Sequence, residues 1–259
     1  MGKLIEIEGS KNLRDLGPIS YLDKKLIEAG MFFRSAKLDE ISKESFKKIK
    51  SVYKVKTILD LRAPEEIKDS VGNMMQELGG NYFNIDLVVD IKPIIVPSFF
   101  SSDNERLELA RHHENLRFEE HELWLNERKV QLREIFNLFS RKELFPILYH
   151  CAGGKDRTGL VSGLLLSLLG VNTDMIVDDY GVSSKYLYEH DEQTDADPAT
   201  GINIAPFSTW KQYQDFASPP KTMYRTLSYI ETKFGGTYRY LKSIGMTDTQ
   251  LTDIISNAV

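Results

Sequence analysis

The single cysteine of the chain lies in a segment that combines a thiol, a glycine-containing turn and an arginine. Cys151 and Arg157 enclose a short loop made of Ala152, Gly153, Gly154, Lys155 and Asp156. A glycine-containing turn of this length can direct successive backbone N–H groups inward, where they bind an anion. A guanidinium group binds two phosphate oxygens at once. We therefore predict a site for a doubly charged tetrahedral oxyanion, held by the backbone from Ala152 to Arg157 and by the Arg157 side chain.

The position of Cys151 at the mouth of this loop favours a nucleophile. Helix N-termini and nearby cations stabilise a thiolate, which is the reactive form of cysteine. A sulfur anion beneath a bound phosphate is placed for in-line attack on phosphorus. A lone cysteine is more often a small buried hydrophobe, but that interpretation leaves the arginine and the glycines of the loop unexplained. We expect Cys151 to be the nucleophile.

The elements around the loop must hold it in place. Runs rich in β-branched and aromatic residues predict strands over 54–61, 81–87 and 145–150, with edge strands at 31–35 and 4–8. Helical spacing predicts helices over 41–53 (capped by Ser42), 119–140, 158–169, 173–189, 219–234, 238–243 and 247–257. This order predicts a single α/β domain over residues 1–259, with a mostly parallel central sheet flanked by helices and a helical tail at 171–259.

Two stretches interrupt the regular pattern. The region 88–140 begins with an apolar, proline-interrupted segment, so we predict a lid or insertion there, with plain core packing as the equal alternative. Residues 193–218 contain turn-forming residues and predict a loop.

Composition limits the function. The 259 residues include 33 basic and 38 acidic residues and carry a net charge of −5, which argues against a nucleic-acid partner. No apolar run approaches the ~20 residues of a membrane span, and a single cysteine excludes an internal disulfide. We expect a cytoplasmic protein, or a secreted one if a signal peptide has been removed; the oligomeric state stays open.

Three histidines invite a metal hypothesis. His112, His113 and His121 lie near acidic residues, but their spacing does not place a ligand set on one helix face. We expect neither a metal nor another cofactor.

The string HCAGGKDRTG, from His150 to Gly159, resembles the signature of the cysteine-dependent protein tyrosine phosphatase superfamily, and its bacterial tyrosine/serine phosphatase branch in particular. Five other segments are similar to that branch: NLRDLG at 12–17, FRS at 33–35 with Leu38, DLR at 60–62 with Glu65, Asp179 with Tyr180, and FGGTY at 234–238 with Leu241. The resemblance implies the fold of those phosphatases and hydrolysis of phosphate monoesters on phosphotyrosine, in some members also on phosphoserine, phosphothreonine or phosphoinositides. A non-catalytic phosphate-binding protein is the alternative.

The resemblance also implies roles for individual residues. Cys151 would form a cysteinyl-phosphate while Arg157 and the loop backbone hold the phosphoryl oxygens. Thr158 would help the sulfur to leave, and His150 would order the loop. Arg14 would brace the site.

Two further residues would support the site. The resemblance implies that Asp15 braces it together with Arg14. Asp179 would orient Arg157, with capping or solvation as the alternative.

The residue that protonates the leaving group departs from the superfamily pattern. Neither Trp124 nor Trp210 is followed by Pro-Asp, so the mobile Trp-Pro-Asp loop of conventional tyrosine phosphatases is absent from the sequence. Asp156 either faces the pocket in its protonated form or turns outward to pair with a nearby arginine. Asp86 and Asp60 are rivals for the same role.

Lys155 has two interpretations. It adds a cation for a multiply phosphorylated substrate such as a phosphoinositide, or it is a solvated lysine that offsets the charge of Asp156.

Overall fold

A computed structural model of the chain describes residues 2–21, 23–68, 70–89, 96–97, 99–191 and 206–259. The strands of this part of the chain are Arg14–Asp15 (β1), Ile19–Tyr21 (β2), Lys24–Ile27 (β3), Phe32–Ser35 (β4), Thr57–Asp60 (β5), Asn81–Asn84 (β6) and Ile147–His150 (β7). The central sheet has the order β1-β4-β7-β5-β6, and β2 and β3 form a separate antiparallel pair. Strands β4, β7, β5 and β6 run parallel and β1 runs antiparallel to β4, which confirms the mostly parallel α/β sheet.

Helices surround this sheet and make up the C-terminal region. They are Lys43–Ser51 (α1), Ser70–Glu77 (α2), Asp103–Glu127 (α3), Lys129–Phe139 (α4), Asp156–Leu168 (α5), Thr173–Asp191 (α6), Trp210–Ala217 (α7), Pro220–Phe234 (α8), Thr237–Ser243 (α9) and Asp248–Asn257 (α10). Short 3₁₀ turns lie at Pro64–Glu66 and Lys142–Leu144. None of the helices in the described ranges is long and apolar enough to cross a bilayer.

The register of the parallel strands brings their carboxyl ends to one edge of the sheet. His150 at the end of β7 lies opposite Ser35 of β4 and Asp60 of β5, and Asp60 lies opposite Asn84 of β6. The segments that follow these strands therefore leave the sheet side by side. Cys151 begins one of them.

Helix α5 is apolar on nearly all sides and lies in the core, as its sequence predicts. Leu160, Val161 and Leu164 belong to the main apolar cluster, which also contains Cys151. Gly159 permits a close approach of helix α6, since a Cβ atom there would lie 2.6 Å from the ring of Tyr180. This packing brings α6 next to the loop between β7 and α5.

The long predicted elements are present with shifted ends, whereas several short elements differ from the prediction. The predicted loop at 193–218 is wrong for Trp210–Ala217, which form helix α7. The predicted strand at 4–8 is reduced to an isolated bridge between Leu4 and Arg14. Strands β1, β2 and β3 and helices α2 and α7 were not predicted, because they are too short to show a clear period. Helix α1 begins after Ser42, whose side chain caps it as predicted.

Helix α3 begins at Asp103, well before the predicted start of the 119–140 helix, and a break at Arg128 separates it from α4. Its buried face includes Arg117, Glu120 and His121, so no apolar stripe marks this part of the helix. Trp124, Leu125 and residues of α4 pack in the core. Residues 90–95, 98 and 192–205, parts of the predicted lid and loop, lie outside the described residues, and the mobility of 88–140 stays a prediction.

Candidate active site

The loop from Cys151 to Arg157 connects β7 to α5. Side chains packed beneath it donate hydrogen bonds to its carbonyl oxygens and hold its backbone in place. Gly154 has φ +65°, and a Cβ atom there would lie 2.2 Å from the carbonyl oxygen of Ser35, so only glycine fits. The Asn12 Nδ2 atom donates to the carbonyl oxygens of Gly153 and Gly154 at 3.2 and 3.1 Å. Arg34 Nη2 donates to the same Gly154 oxygen at 2.7 Å. Carbonyl groups held on one side of a tight loop leave its amide groups for an anion on the other.

A buried ion-pair network lies beneath the loop and consists of Asn12, Arg14, Arg34 and Asp179; we call it the lower network. Arg14 Nε lies 3.1 Å from Asp179 Oδ1, and Arg34 Nη1 lies 2.6 Å from Asp179 Oδ2. Arg14 also donates to the side chain of Asn12. Asp179 therefore pairs with the two arginines that support the loop, and not with Arg157 as the sequence suggested.

The charges of the lower network shift one another's proton affinity. Burial, together with repulsion from Arg34, lowers the pKa of Arg14 to about 10, although Asp179 opposes this. Burial disfavours the charged form of Asp179, but the two arginines outweigh it and hold the pKa of Asp179 below its usual value. Two guanidinium groups thus share one carboxylate, which leaves a surplus positive charge beneath the phosphate loop.

Cys151 is 3% exposed and follows directly on the last residue of β7. His150 is buried, with Nδ1 at 3.2 Å from the Cys151 carbonyl oxygen and Nε2 at 3.6 Å from Asp60 Oδ2. Burial lowers the pKa of His150, in spite of the nearby Asp60, so the ring is neutral at pH 7. Thr158 is buried, and its hydroxyl has no hydrogen-bond partner among the described residues. The role of Thr158 toward the Cys151 sulfur stays a prediction.

Arg157 is held by a carboxylate that the sequence analysis missed. Its Nη1 and Nη2 atoms lie 2.7 and 3.0 Å from the two carboxylate oxygens of Glu66. Burial opposes the charged form of Arg157, but attraction by Cys151 and Glu66 outweighs it and raises the pKa of Arg157. The sequence comparison matched Glu65 instead, one residue earlier in the turn Pro64–Glu66, and only the fold shows which of the two acidic residues faces the loop.

Asp156 belongs to a second buried group of charges, which lies behind the loop and consists of Arg117, Glu120, Lys155 and Asp156; we call it the rear cluster. Asp156 Oδ2 lies 2.6 Å from Lys155 Nζ and 3.7 Å from Arg117 Nη1. Burial opposes the carboxylate form, but Arg117 and Lys155 outweigh it and lower the pKa of Asp156 to about 2. Of the two alternatives for Asp156, the structure has the one that pairs with an arginine.

The model of the tyrosine phosphatase family matches residues 5–259, nearly the whole chain. The chain belongs to this family. Three of the matching motifs meet beneath the loop of the signature segment: Asn12 and Arg34 donate to its carbonyl oxygens, and Asp179 pairs with Arg34.

Individual members of the tyrosine phosphatase family match only part of this chain. A tyrosine-protein phosphatase of Nostoc commune is 31% identical over 137 residues, which are 49% of this chain and 44% of the relative. The triple specificity protein phosphatase PtpB of Mycobacterium tuberculosis is 54% identical over 35 residues, which are 14% of this chain and 13% of the relative. The chain thus spans less than half the length of either relative.

One solved structure similar to this family member is the core catalytic domain of the PP-IP phosphatase SIW14 from S. cerevisiae in complex with citrate. The two share 20% sequence identity, the match covers 88% of this chain and 95% of that one, and the TM-score is 0.38.

The two carboxylates that compete with Asp156 for the acid role, Asp60 and Asp86, lie in different surroundings. Asp60 is fully buried, and its carboxylate accepts hydrogen bonds from Arg62 and from the Tyr82 hydroxyl at 2.9 Å, which argues against the acid role. Asp86 is half-buried beyond the carboxyl end of β6, and its Oδ1 atom accepts from the Val88 amide at 2.7 Å. Asp15, expected to brace the site, bonds the amides of Gly17 and Gly30. Asp86 is therefore the remaining rival of Asp156.

The histidines that invited a metal hypothesis do not converge. His121 Nδ1 lies 2.8 Å from the Thr226 hydroxyl, and the ring of His113 packs against Phe216. In the ranges that the structure describes, no three His, Cys, Asp or Glu side chains are grouped so that they could hold a metal ion.

Proposed function

We propose that the protein hydrolyses phosphate monoesters through a cysteinyl-phosphate intermediate, with phosphotyrosine in proteins as the main substrate and phosphoserine or phosphothreonine as weaker ones. The observation that carries the proposal is the placement of the single cysteine at the start of a loop whose carbonyl oxygens are fixed from below and whose arginine is held by Glu66. Membership of the tyrosine phosphatase family and the name of the Nostoc relative support it.

The reaction proceeds in two displacements. The Cys151 thiolate attacks phosphorus, the bond from phosphorus to the leaving oxygen breaks, and that oxygen takes a proton from an acid to become an alcohol or phenol. Water then attacks the cysteinyl-phosphate, its proton returns to the carboxylate, and the sulfur leaves as a thiolate. Arg157 and the loop amides hold the phosphoryl oxygens throughout. The Thr158 hydroxyl has no hydrogen-bond partner among the described residues, and we expect it to donate to the departing sulfur.

We assign the acid to Asp156, which lies in the loop itself. Because its carboxylate pairs with Lys155 and Arg117 in the structure, this role requires Asp156 to take up a proton when the substrate binds. With no substrate bound, Lys155 and Arg117 keep it ionised at neutral pH. A phosphate dianion in the adjacent cradle brings two negative charges close to this carboxylate, and like charges favour its protonated form. Asp156 would thus gain its proton when the substrate binds.

Lys155 favours a protein substrate over a phosphoinositide. Its side chain is 2% exposed and its ammonium group is engaged with Asp156, so it is not presented to a second phosphate. Lys155 is thus buried and not solvated as the sequence predicted, but it does offset the charge of Asp156. A non-catalytic phosphate-binding protein remains the second candidate, because no Trp-Pro-Asp loop occurs in the sequence.

Turnover separates these functions. We expect the purified protein to release phosphate from an aryl phosphate, with inhibition by vanadate and no effect of a metal chelator. Cys151→Ser should abolish release while phosphate binding persists, because the cradle is intact and only the nucleophile is weaker. A wild-type protein that binds phosphate without turnover would identify the non-catalytic alternative. A fully active Cys151→Ser variant would contradict the cysteinyl-phosphate.

A further inference from the structure

One turn of helix α3 presents ionisable side chains to the back of the phosphate loop. Arg117, Glu120 and His121 lie on its buried face, and each is less than one-tenth exposed. The next buried residues of the helix, Trp124 and Leu125, belong to the apolar core. Buried polar residues also lie one turn earlier, where His113 packs against Phe216 and Glu114 pairs with Arg225. Of this polar face, Arg117 and Glu120 are the residues that join the charges of the loop.

Arg117 contacts carboxylates from two elements. Its Nη1 atom donates to Glu120 Oε2 on its own helix and lies 3.7 Å from Asp156 Oδ2 at the start of α5. Lys155 pairs with Asp156 from the other side at 2.6 Å. Two cations and two carboxylates thus form one buried group, and two of its members, Lys155 and Asp156, belong to the loop from Cys151 to Arg157.

A buried group of paired charges contributes little net stability, because removing each charge from water is unfavourable. Each buried charge loses its hydration, and buried ion pairs are often replaceable by apolar side chains without loss of stability. Its main physical effect is the field that it exerts on its neighbours, because charge interactions are stronger in a medium of low dielectric constant. Asp156 is part of the loop whose backbone we propose to hold the phosphate, so this field acts next to the substrate.

We propose that Arg117 and Glu120 are positioning residues for the reaction: Arg117 favours the carboxylate form of Asp156, Glu120 opposes it, and helix α3 thereby sets how readily Asp156 takes up and delivers its proton. This inference rests on the proposed function.

The other groups that face Asp156 are part of this balance. They come from α3, α6 and the loop with the start of α5: His121, Tyr180 through its hydroxyl at 3.3 Å, Lys155 and Arg157. His121 is neutral, because burial lowers its pKa to about 4. Burial holds the pKa of the Tyr180 phenol well above its ordinary value, so it is neutral as well. The balance at neutral pH is therefore decided by the charged side chains.

The two carboxylates of the rear cluster differ in proton affinity. Burial and repulsion from Asp156 raise the pKa of Glu120, against the opposing effect of Arg117, whereas Arg117 and Lys155 hold that of Asp156 low. Asp156 therefore carries the negative charge that Arg117 and Lys155 balance, and the charge of Glu120 acts on it from the same helix turn as Arg117.

The sign of each substitution follows from this arrangement. An acid must be protonated to donate, so kcat falls as pH rises through the pKa of the acid in the enzyme–substrate complex. Glu120→Gln removes a negative charge beside Asp156, which favours the carboxylate, and the alkaline limb of kcat moves to lower pH. Arg117→Met removes a positive charge, and the limb moves to higher pH.

The test is the pH dependence of kcat with a phosphoserine peptide, whose alkoxide leaving group depends on protonation. We expect shifts of about one pH unit in opposite directions for Glu120→Gln and Arg117→Met. Glu119→Gln is the matched control, since it makes the same chemical change on an exposed neighbour and should leave the profile unchanged. Arg117→Lys keeps the charge and should restore the wild-type limb.

Opposite shifts support the inference, because a purely structural role would lower kcat in both variants without moving the limb in two directions. Shifts in the same direction, or an unmoved limb in an active Glu120→Gln variant, overturn it. If Arg117→Met does not fold, Glu120→Gln against Glu119→Gln decides alone. A wild-type protein without phosphatase activity would overturn the proposed function instead.

Discussion

The lower network and the rear cluster both bury arginine–carboxylate pairs against the same loop, but they contact different parts of it. Asn12 and Arg34 of the lower network donate to main-chain carbonyl oxygens at Gly153 and Gly154. The rear cluster contacts the loop through the side chains of Lys155 and Asp156. The first arrangement fixes the shape of the loop, and the second adjusts the charge beside it.

The two groups also differ in net charge. In the lower network, Arg14 and Arg34 share the single carboxylate of Asp179, so a positive charge remains under the anion site. In the rear cluster, Lys155 and Arg117 are matched by Asp156 and Glu120, and burial together with Asp156 raises the pKa of Glu120. Under the proposed function, the fixed surplus of positive charge would attract the phosphate, and the balanced group would supply the proton.

Stability should show the largest difference between the two groups. Arg34→Met removes a buried partner of Asp179 and of the Gly154 carbonyl oxygen, so we expect the free energy of unfolding to fall by about 3–5 kcal/mol. Arg117→Met should cost less, because Glu120 can become neutral by taking up a proton. Urea unfolding at pH 7 measures both.

Lys43→Met is the control for this comparison, since it breaks an exposed pair with Glu77 and should leave the unfolding midpoint unchanged. An equal loss of stability in Arg34→Met and Arg117→Met would contradict the idea that the lower network holds the shape of the loop while the rear cluster mainly sets its charge.

The parts of the site that lie next to one another in the sequence were predictable. A strand, a glycine-containing turn, an arginine and a buried helix identify the phosphate loop, and the order of strands and helices identifies the mostly parallel sheet, which the structure confirms. These features depend on local pattern and on hydrophobic spacing. The roles of Cys151 and Arg157 stay predictions until turnover is measured.

The partners that arrive from distant segments were not predictable. Arg117 and Glu120 lie on a helix with charged residues on its buried face, where hydrophobic periodicity gives no signal. Glu66 stands beside an equally acidic residue, and no rule of spacing selects it. Asp179 pairs with Arg14, 165 positions away in the sequence, through the packing of α6 against α5.

The rate effect of Asp156 is the next largest. General acids contribute roughly 10²–10⁴-fold to rate, so Asp156→Asn should slow a phosphoserine peptide by about 10²-fold or more. A nitrophenyl phosphate should be slowed much less, since its leaving group is stable as an anion. Steady-state kcat for both substrates is the measurement.

Asp86→Asn is the matched comparison, because it makes the same change at the remaining rival carboxylate. If Asp86→Asn selectively slows the alkyl substrate and Asp156→Asn slows both equally, the acid is Asp86, and Asp156 only completes the rear cluster.

The smallest expected effect concerns substrate preference at Lys155. Because its ammonium group is buried against Asp156, Lys155→Met should lower kcat/KM for a phosphotyrosine peptide and for a phosphoinositide by the same factor, leaving their ratio unchanged. Lys185→Met, in a pair with Glu189 on helix α6, is the control for loss of a lysine elsewhere. A selective loss of phosphoinositide turnover would mean that Lys155 leaves Asp156 to bind a second phosphate. The rear cluster would then bind substrate as well as adjust the charge beside the loop.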